Sequence, residues 1–135
     1  MVGVLIVTHL QLAEALLSAS DLILGRLEKV AAVSLDPNAM PDEARQQIAD
    51  GLARLNSSDG VLLLTDMFGG TPSNLCLSFL KENQVEVISG VNLPMLIKVN
   101  HLRNDKSASL REMALALKQS GQEGITVASE LLHKK

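Results

Sequence analysis

The feature that most constrains this chain is a regular alternation. Short apolar runs are separated by longer stretches whose apolar residues recur at helical spacing. The runs VGVLIV, VAAVSL, VLLLT and VEVIS occupy residues 2–7, 30–35, 61–65 and 85–89. None contains proline, and the first and third have no polar face. A strand without a polar face must be covered on both sides, which is the situation of a strand inside a parallel sheet. Parallel neighbours cannot be joined by a hairpin, so the stretches between them have to be crossover helices.

Those helices are expected at residues 12–24, 41–55, 72–81, 93–102 and 109–120. Pro41 and Pro72 stand near two of the starts, where a missing N–H costs little, and Asp42 and Glu43 occupy a first turn that favours negative charge. Gly25 and Gly121 sit where C-terminal caps belong. Asp36-Pro37-Asn38 and the NSSDG cluster at 56–60 read as turns. Residues 124–128 supply one more short strand candidate. The expected fold class is α/β: a doubly wound, mostly parallel sheet of four parallel strands plus a short C-terminal strand, with helices on both faces. Ligands of such sheets bind beyond the carboxyl ends of the strands, near a switch in strand order. At 135 residues the chain is expected to form one domain.

Chemistry-bearing residues gather at those carboxyl ends. The first strand runs out at Thr8-His9, the third at Thr65-Asp66 followed by MFGGTPSN, and the fourth at Ser89 followed by GVNLP. A parallel sheet brings all three to one edge, so His9 and Asp66 can meet although nearly sixty residues separate them. Imidazole changes charge near neutral pH and can act as a base or a nucleophile. A carboxylate accepting from one ring N–H fixes the tautomer and frees the other nitrogen, and Asp66 is the candidate for that task. Two plainer roles stay open on the residues alone: His9 as a satisfied structural histidine, and Asp66 as a cap for its loop. Gly69 and Gly70 permit positive φ and close approach of the backbone to a ligand. Thr71 stands where an N-cap belongs and Pro72 at the first helical position. The free N–H groups of such a turn suit a phosphoryl group.

Composition closes several other routes. The net charge is −3 and the only aromatics are two phenylalanines, so neither a basic stripe nor a stacking platform for nucleic acid is available. The apolar runs fall far short of the ~18 residues of a membrane-spanning helix. No basic n-region or small-residue cleavage site marks a leader, and a cytoplasmic location is expected. Cys76, the single cysteine, falls in an apolar helical pattern and reads as a buried structural thiol. His101 and His133 show no metal-ligand spacing with each other or with Cys76, so no metal site is expected and both should be solvated. Neither GxxxxGK[ST] nor GxGxxG occurs. A serine triad of Ser73, His9 and Asp66 can be drawn, but no GxSxG elbow supports it. A receiver domain, which is phosphorylated on aspartate, shares the architecture and an aspartate after strand three. It also needs an acidic pair after strand one, where this chain has Thr8-His9.

In this order and spacing, the blocks IVTH at 6–9, DMFGGTPSN at 66–74 and GVNLPML at 90–96 resemble the mannose-family IIA component of the bacterial phosphoenolpyruvate-dependent sugar phosphotransferase system. The resemblance runs from residue 2 to about residue 128. It implies that His9 accepts a phosphoryl group from the phosphocarrier protein HPr and passes it to a IIB component. Asp66 would bind the other ring nitrogen, and Gly69, Gly70 and Thr71 would form the phosphoryl-binding turn. No cofactor is implied, because a partner protein delivers the phosphate. The resemblance also implies a homodimer that exchanges a C-terminal antiparallel strand, here residues 124–128. No Ala/Pro-rich linker or IIB sequence follows, so a free-standing IIA protein is expected. The Gly-Gly-Thr-Pro block favours the sugar branch over relatives that serve dihydroxyacetone kinase. The alternative is a regulatory module in which phosphorylation of His9 controls partner binding.

Overall fold

The structure, a computed structural model, describes residues 1–133. Strand β1 (Gly3–His9) leads into helix α1 (Leu12–Leu24), β2 (Val30–Leu35) into α2 (Pro41–Leu55), β3 (Val61–Thr65) into α3 (Thr71–Leu77), and β4 (Val85–Ser89) into α4 (Leu93–Arg103). Helices α5 (Leu110–Glu123) and α6 (Ala128–His133) complete the described chain. The sheet has four strands in the order β2-β1-β3-β4, and all three pairings are parallel.

The alternation of side chains explains why the central strands are apolar on both faces. Val4 and Ile6 of β1 face a core layer with Leu62, Leu64, Met95, Leu96, Val99 and Leu117. Leu5 and Val7 point the other way, into a layer with Val33, Ile48, Leu63 and Cys76. All four β1 residues are fully buried. Truncating a side chain of this kind, for instance Leu63→Ala, should cost about 2–5 kcal/mol.

This order makes β1 and β3 the central strands. The chain winds from β1 outward to β2, then crosses back to the far side of β1 to lay down β3. The crevice of a doubly wound sheet lies where the winding reverses, here between the tips of β1 and β3. Register does the rest. Val7 pairs with Thr65, so Asp66 follows directly beside the Thr8-His9 end.

Three expectations need correction here. Helix α3 ends at Leu77 rather than Lys81, because Ser78, Phe79 and Leu80 close tighter bonds to carbonyls three residues back. Lys81 then pairs with Val85 in an antiparallel bridge that turns the chain into β4. Gly121 is not a cap but lies inside α5, where an added Cβ would come within 3.0 Å of Met95. The cap is Gly124. Finally, residues 124–128 form no strand, and among the described residues the sheet carries no fifth, antiparallel member. The backbone groups of this segment are instead satisfied locally, the Ile125 N–H donating to the Gln122 carbonyl and the Glu130 N–H to the Val127 carbonyl.

Candidate active site

Strand β1 carries its pairing as far as His9, opposite Leu35 of β2. Leu10 then turns left-handed at φ 48°, and α1 starts two residues later. A non-glycine residue in that region costs about 1–3 kcal/mol and persists only where its surroundings hold it. The turn projects the His9 ring off the sheet edge, where its side chain is 48% exposed.

Asp66 arrives from the end of β3. Its Oδ2 accepts twice from His9, from the backbone N–H at 3.1 Å and from ring Nδ1 at 2.8 Å. Its Oδ1 accepts from the Met67 N–H at 3.1 Å. Burial pushes the Asp66 carboxyl up, but the bonds from the His9 ring and backbone, with the charge of the ring, outweigh it and hold the carboxyl below its ordinary value. The group is thus an ionised carboxylate at neutral pH and can only accept. Nδ1 must then carry a proton, and in the neutral ring this leaves the Nε2 lone pair free. The Asp66 side chain is 13% exposed against 48% for His9, so the carboxylate is sheltered while the ring is open to solvent.

The two glycines of the β3–α3 turn serve different ends. Gly69 has φ 91°, a conformation that side chains resist. Gly70 has an ordinary φ of −89°, and what it needs is space. A Cβ there would stand 2.7 Å from His9 Cε1 and 3.1 Å from Nε2. The backbone of Gly70 therefore lies against the free face of the ring. Gly70, extended, is the N-cap of α3, so the helix starts at Thr71, one residue earlier than expected, with Pro72 as its second residue. With only seven residues, α3 contributes unpaired first-turn N–H groups rather than a large dipole. The exposed Thr71 adds a hydroxyl.

Beside this turn a cleft of about 300 Å³ is lined by His9, Leu10, Leu35, Asp36, Thr71 and Pro72. Asp36 is occupied with its own turn, accepting from the Asn38 N–H at 2.8 Å. Met67 and Phe68 project to solvent from the loop after Asp66.

Ser73 does not join His9. It is fully buried, with its hydroxyl 3.5 Å from that of Ser89, so it is not placed to act as an exposed nucleophile. The Thr65 hydroxyl donates to Ser89 at 3.0 Å, so three hydroxyls tie β3, β4 and α3 together under the turn. These links were missed in the sequence. Their trace is a hydroxyl residue closing each of the apolar strands VLLLT and VEVIS. Cys76 is buried, and burial pushes its thiol up to about 12, which leaves it inert. His101 is exposed. Among the described residues, no three His, Cys, Asp or Glu side chains are grouped to hold a metal ion. Nor is any helix among them long and apolar enough to cross a membrane.

The family model described as EIIA-man, "PTS system fructose IIA component", matches residues 3–117. The chain belongs to this family. As a mannose-family IIA component of the sugar phosphotransferase system, it is 33% identical over 135 residues to the fructose-specific EIIA component of Bacillus subtilis (strain 168), a match covering 99% of this chain and 91% of that relative. It is also 33% identical over 125 residues to the mannose-specific EIIAB component of Escherichia coli (strain K12), covering 92% of this chain but 38% of the longer relative. Its fold matches the crystal structure of the EIIA component from Streptococcus agalactiae with a TM-score of 0.85, at 26% identity over 96% of this chain and 99% of that one. The mannose/sorbose-specific IIA subunit from Enterococcus faecalis gives a TM-score of 0.80 at 27% identity, covering 93% and 92% of the two chains.

Proposed function

We propose that this IIA component is a cytoplasmic phosphotransferase that works through a phosphohistidine at His9, taking the phosphoryl group from HPr and giving it to a IIB component. The observation that carries the reading is the 2.8 Å bond between His9 Nδ1 and Asp66 Oδ2, with Gly70 lying against the opposite nitrogen. The Nε2 lone pair attacks phosphorus while the donor's bond to phosphorus breaks. Asp66 balances the positive charge that builds on the ring. Phosphoryl transfer passes through a loose transition state, so positioning and charge stabilisation supply the rate. The N–H groups of Gly70 and Thr71 and the Thr71 hydroxyl receive the phosphoryl oxygens, and Gly69 shapes the turn that aims them. No cofactor enters, and residues 1–135 act as a single phosphoryl-carrier domain.

The reading includes a homodimer with exchanged C-terminal segments. Ile125 and Val127 are 74% and 58% exposed, and Ile125 borders a groove of about 320 Å³ along β4. An apolar segment beside an unpaired sheet edge is suited to strand addition in a second copy. Sedimentation equilibrium of the full chain gives a dimer on this account, and a monomer contradicts it.

Incubation with phosphoenolpyruvate, enzyme I and HPr tests the central step. The chain should acquire one acid-labile phosphoryl group, and His9→Ala should acquire none. Equal labelling of both overturns the assignment.

A further inference from the structure

We infer that Thr8 is a positioning residue for His9, an inference that rests on the reading of His9 as the phosphoryl acceptor. Helix α1 lacks a side-chain cap of its own, since its N-cap residue, Gln11, makes no capping bond. The N–H of Ala13, in the first turn, instead donates to Thr8 Oγ1 at 2.7 Å. The Thr8 hydroxyl in turn donates to the His9 carbonyl at 3.1 Å. One hydroxyl has a proton to give and lone pairs to receive, so both bonds coexist. Thr8 is fully buried, and water cannot replace either of them at low cost.

These bonds bridge Leu10 and Gln11, the two residues that turn the chain from strand to helix. Leu10 holds its left-handed conformation inside that turn. Asp66 grips His9 by its N–H and ring, and Thr8 grips it by its carbonyl. Without the Thr8 hydroxyl, the His9–Leu10 peptide is released to rotate and Leu10 to relax. The arrangement in which one carboxylate oxygen serves both the N–H and Nδ1 of His9 then loosens. A ring no longer held to Asp66 shares its proton between the two nitrogens, and protonated Nε2 cannot attack phosphorus.

Two variants of the full chain test this. Thr8→Val keeps the shape and removes the hydroxyl, and Thr8→Ser keeps the hydroxyl. Nitrogen NMR of the imidazole should show neutral His9 protonated at Nδ1 in the wild type and in Thr8→Ser, and a tautomer mixture in Thr8→Val. Transfer from phosphorylated HPr at saturation should be about tenfold slower in Thr8→Val with KM unchanged, and largely restored in Thr8→Ser. A Thr8→Val chain with the wild-type tautomer and rate overturns the inference. So does an equal loss in both variants, which assigns the effect to the methyl group. If Thr8→Val loses its cooperative melting transition, Thr8→Cys, a weaker hydrogen-bonding group of similar size, takes its place with the same readouts. If the wild type itself takes no phosphoryl group, the carrier reading fails, and the tautomer comparison alone decides the role of Thr8.

Discussion

At the amino end of the sheet, Arg103 is buried, and its guanidinium donates to the Val2 carbonyl at 3.1 Å, the Glu28 carbonyl at 2.7 Å and Asn100 Oδ1 at 2.7 Å. At the carboxyl end, His9 is half exposed and commits one ring nitrogen to one carboxylate. Both are basic side chains joining segments far apart in sequence. Arg103 makes three bonds to fixed acceptors, with only its buried Nε lacking a partner, so it staples α4 to the approaches of β1 and β2. His9 keeps a free lone pair aimed at a glycine turn. Several bonds to fixed acceptors make a structural tie, whereas a ring nitrogen left uncommitted in an open cleft is what the proposed chemistry requires.

The contrast breaks if variants at the two ends behave alike. Asp66→Asn removes the charge and the acceptor-only partner that fix the His9 tautomer. It should slow phosphoryl transfer roughly a thousandfold while urea denaturation shifts by less than about 1 kcal/mol. Arg103→Met should do the reverse. It removes three bonds that tie α4 to the approaches of β1 and β2, so stability should fall by about 2–4 kcal/mol, with the transfer rate of the folded protein within twofold of wild type. Gly70→Ala sharpens the comparison within the active end. Its φ of −89° suits alanine, but the methyl would press on the ring and push it off Asp66. The expected loss is about ten- to a hundredfold in rate at nearly unchanged stability.

The smallest effect concerns pH. Asp66 is held below its ordinary value of 3.8, so its contribution to stability is present above that pH and is lost as pH falls through the lower value of the folded chain. Asp66→Asn should therefore flatten the acid limb of a stability-against-pH curve, and Arg103→Met should leave that limb's shape intact.

Much of this was legible in the sequence because it depends on local pattern and on one topological rule. Strands buried on both faces announce themselves as apolar runs, and parallel pairing then carries His9 and Asp66 to the same edge across 57 residues. Boundaries failed where another force imitated or replaced helix chemistry. The apolar spacing after Leu77 continues into tight turns rather than helix, and Gly121 is small because Met95 packs on it. Thr71 has the composition of a cap, yet extended Gly70 takes the position without any side-chain bond. Arg103 was not legible at all. A basic residue ending a helix suggests an interaction with its own carbonyls, whereas two of its partners are backbone atoms 75 and 101 residues away. Thr8 stood in plain view beside His9, but its role depends on the Ala13 N–H, a backbone atom that no residue pattern encodes.

The most direct test of the account is the position of the phosphoryl group on the phosphorylated chain, read by phosphorus–nitrogen correlation in NMR. The account requires a single phosphohistidine at His9, bonded through Nε2, with Nδ1 still protonated against Asp66. A phosphoryl group on Nδ1, or on any other residue, would contradict it.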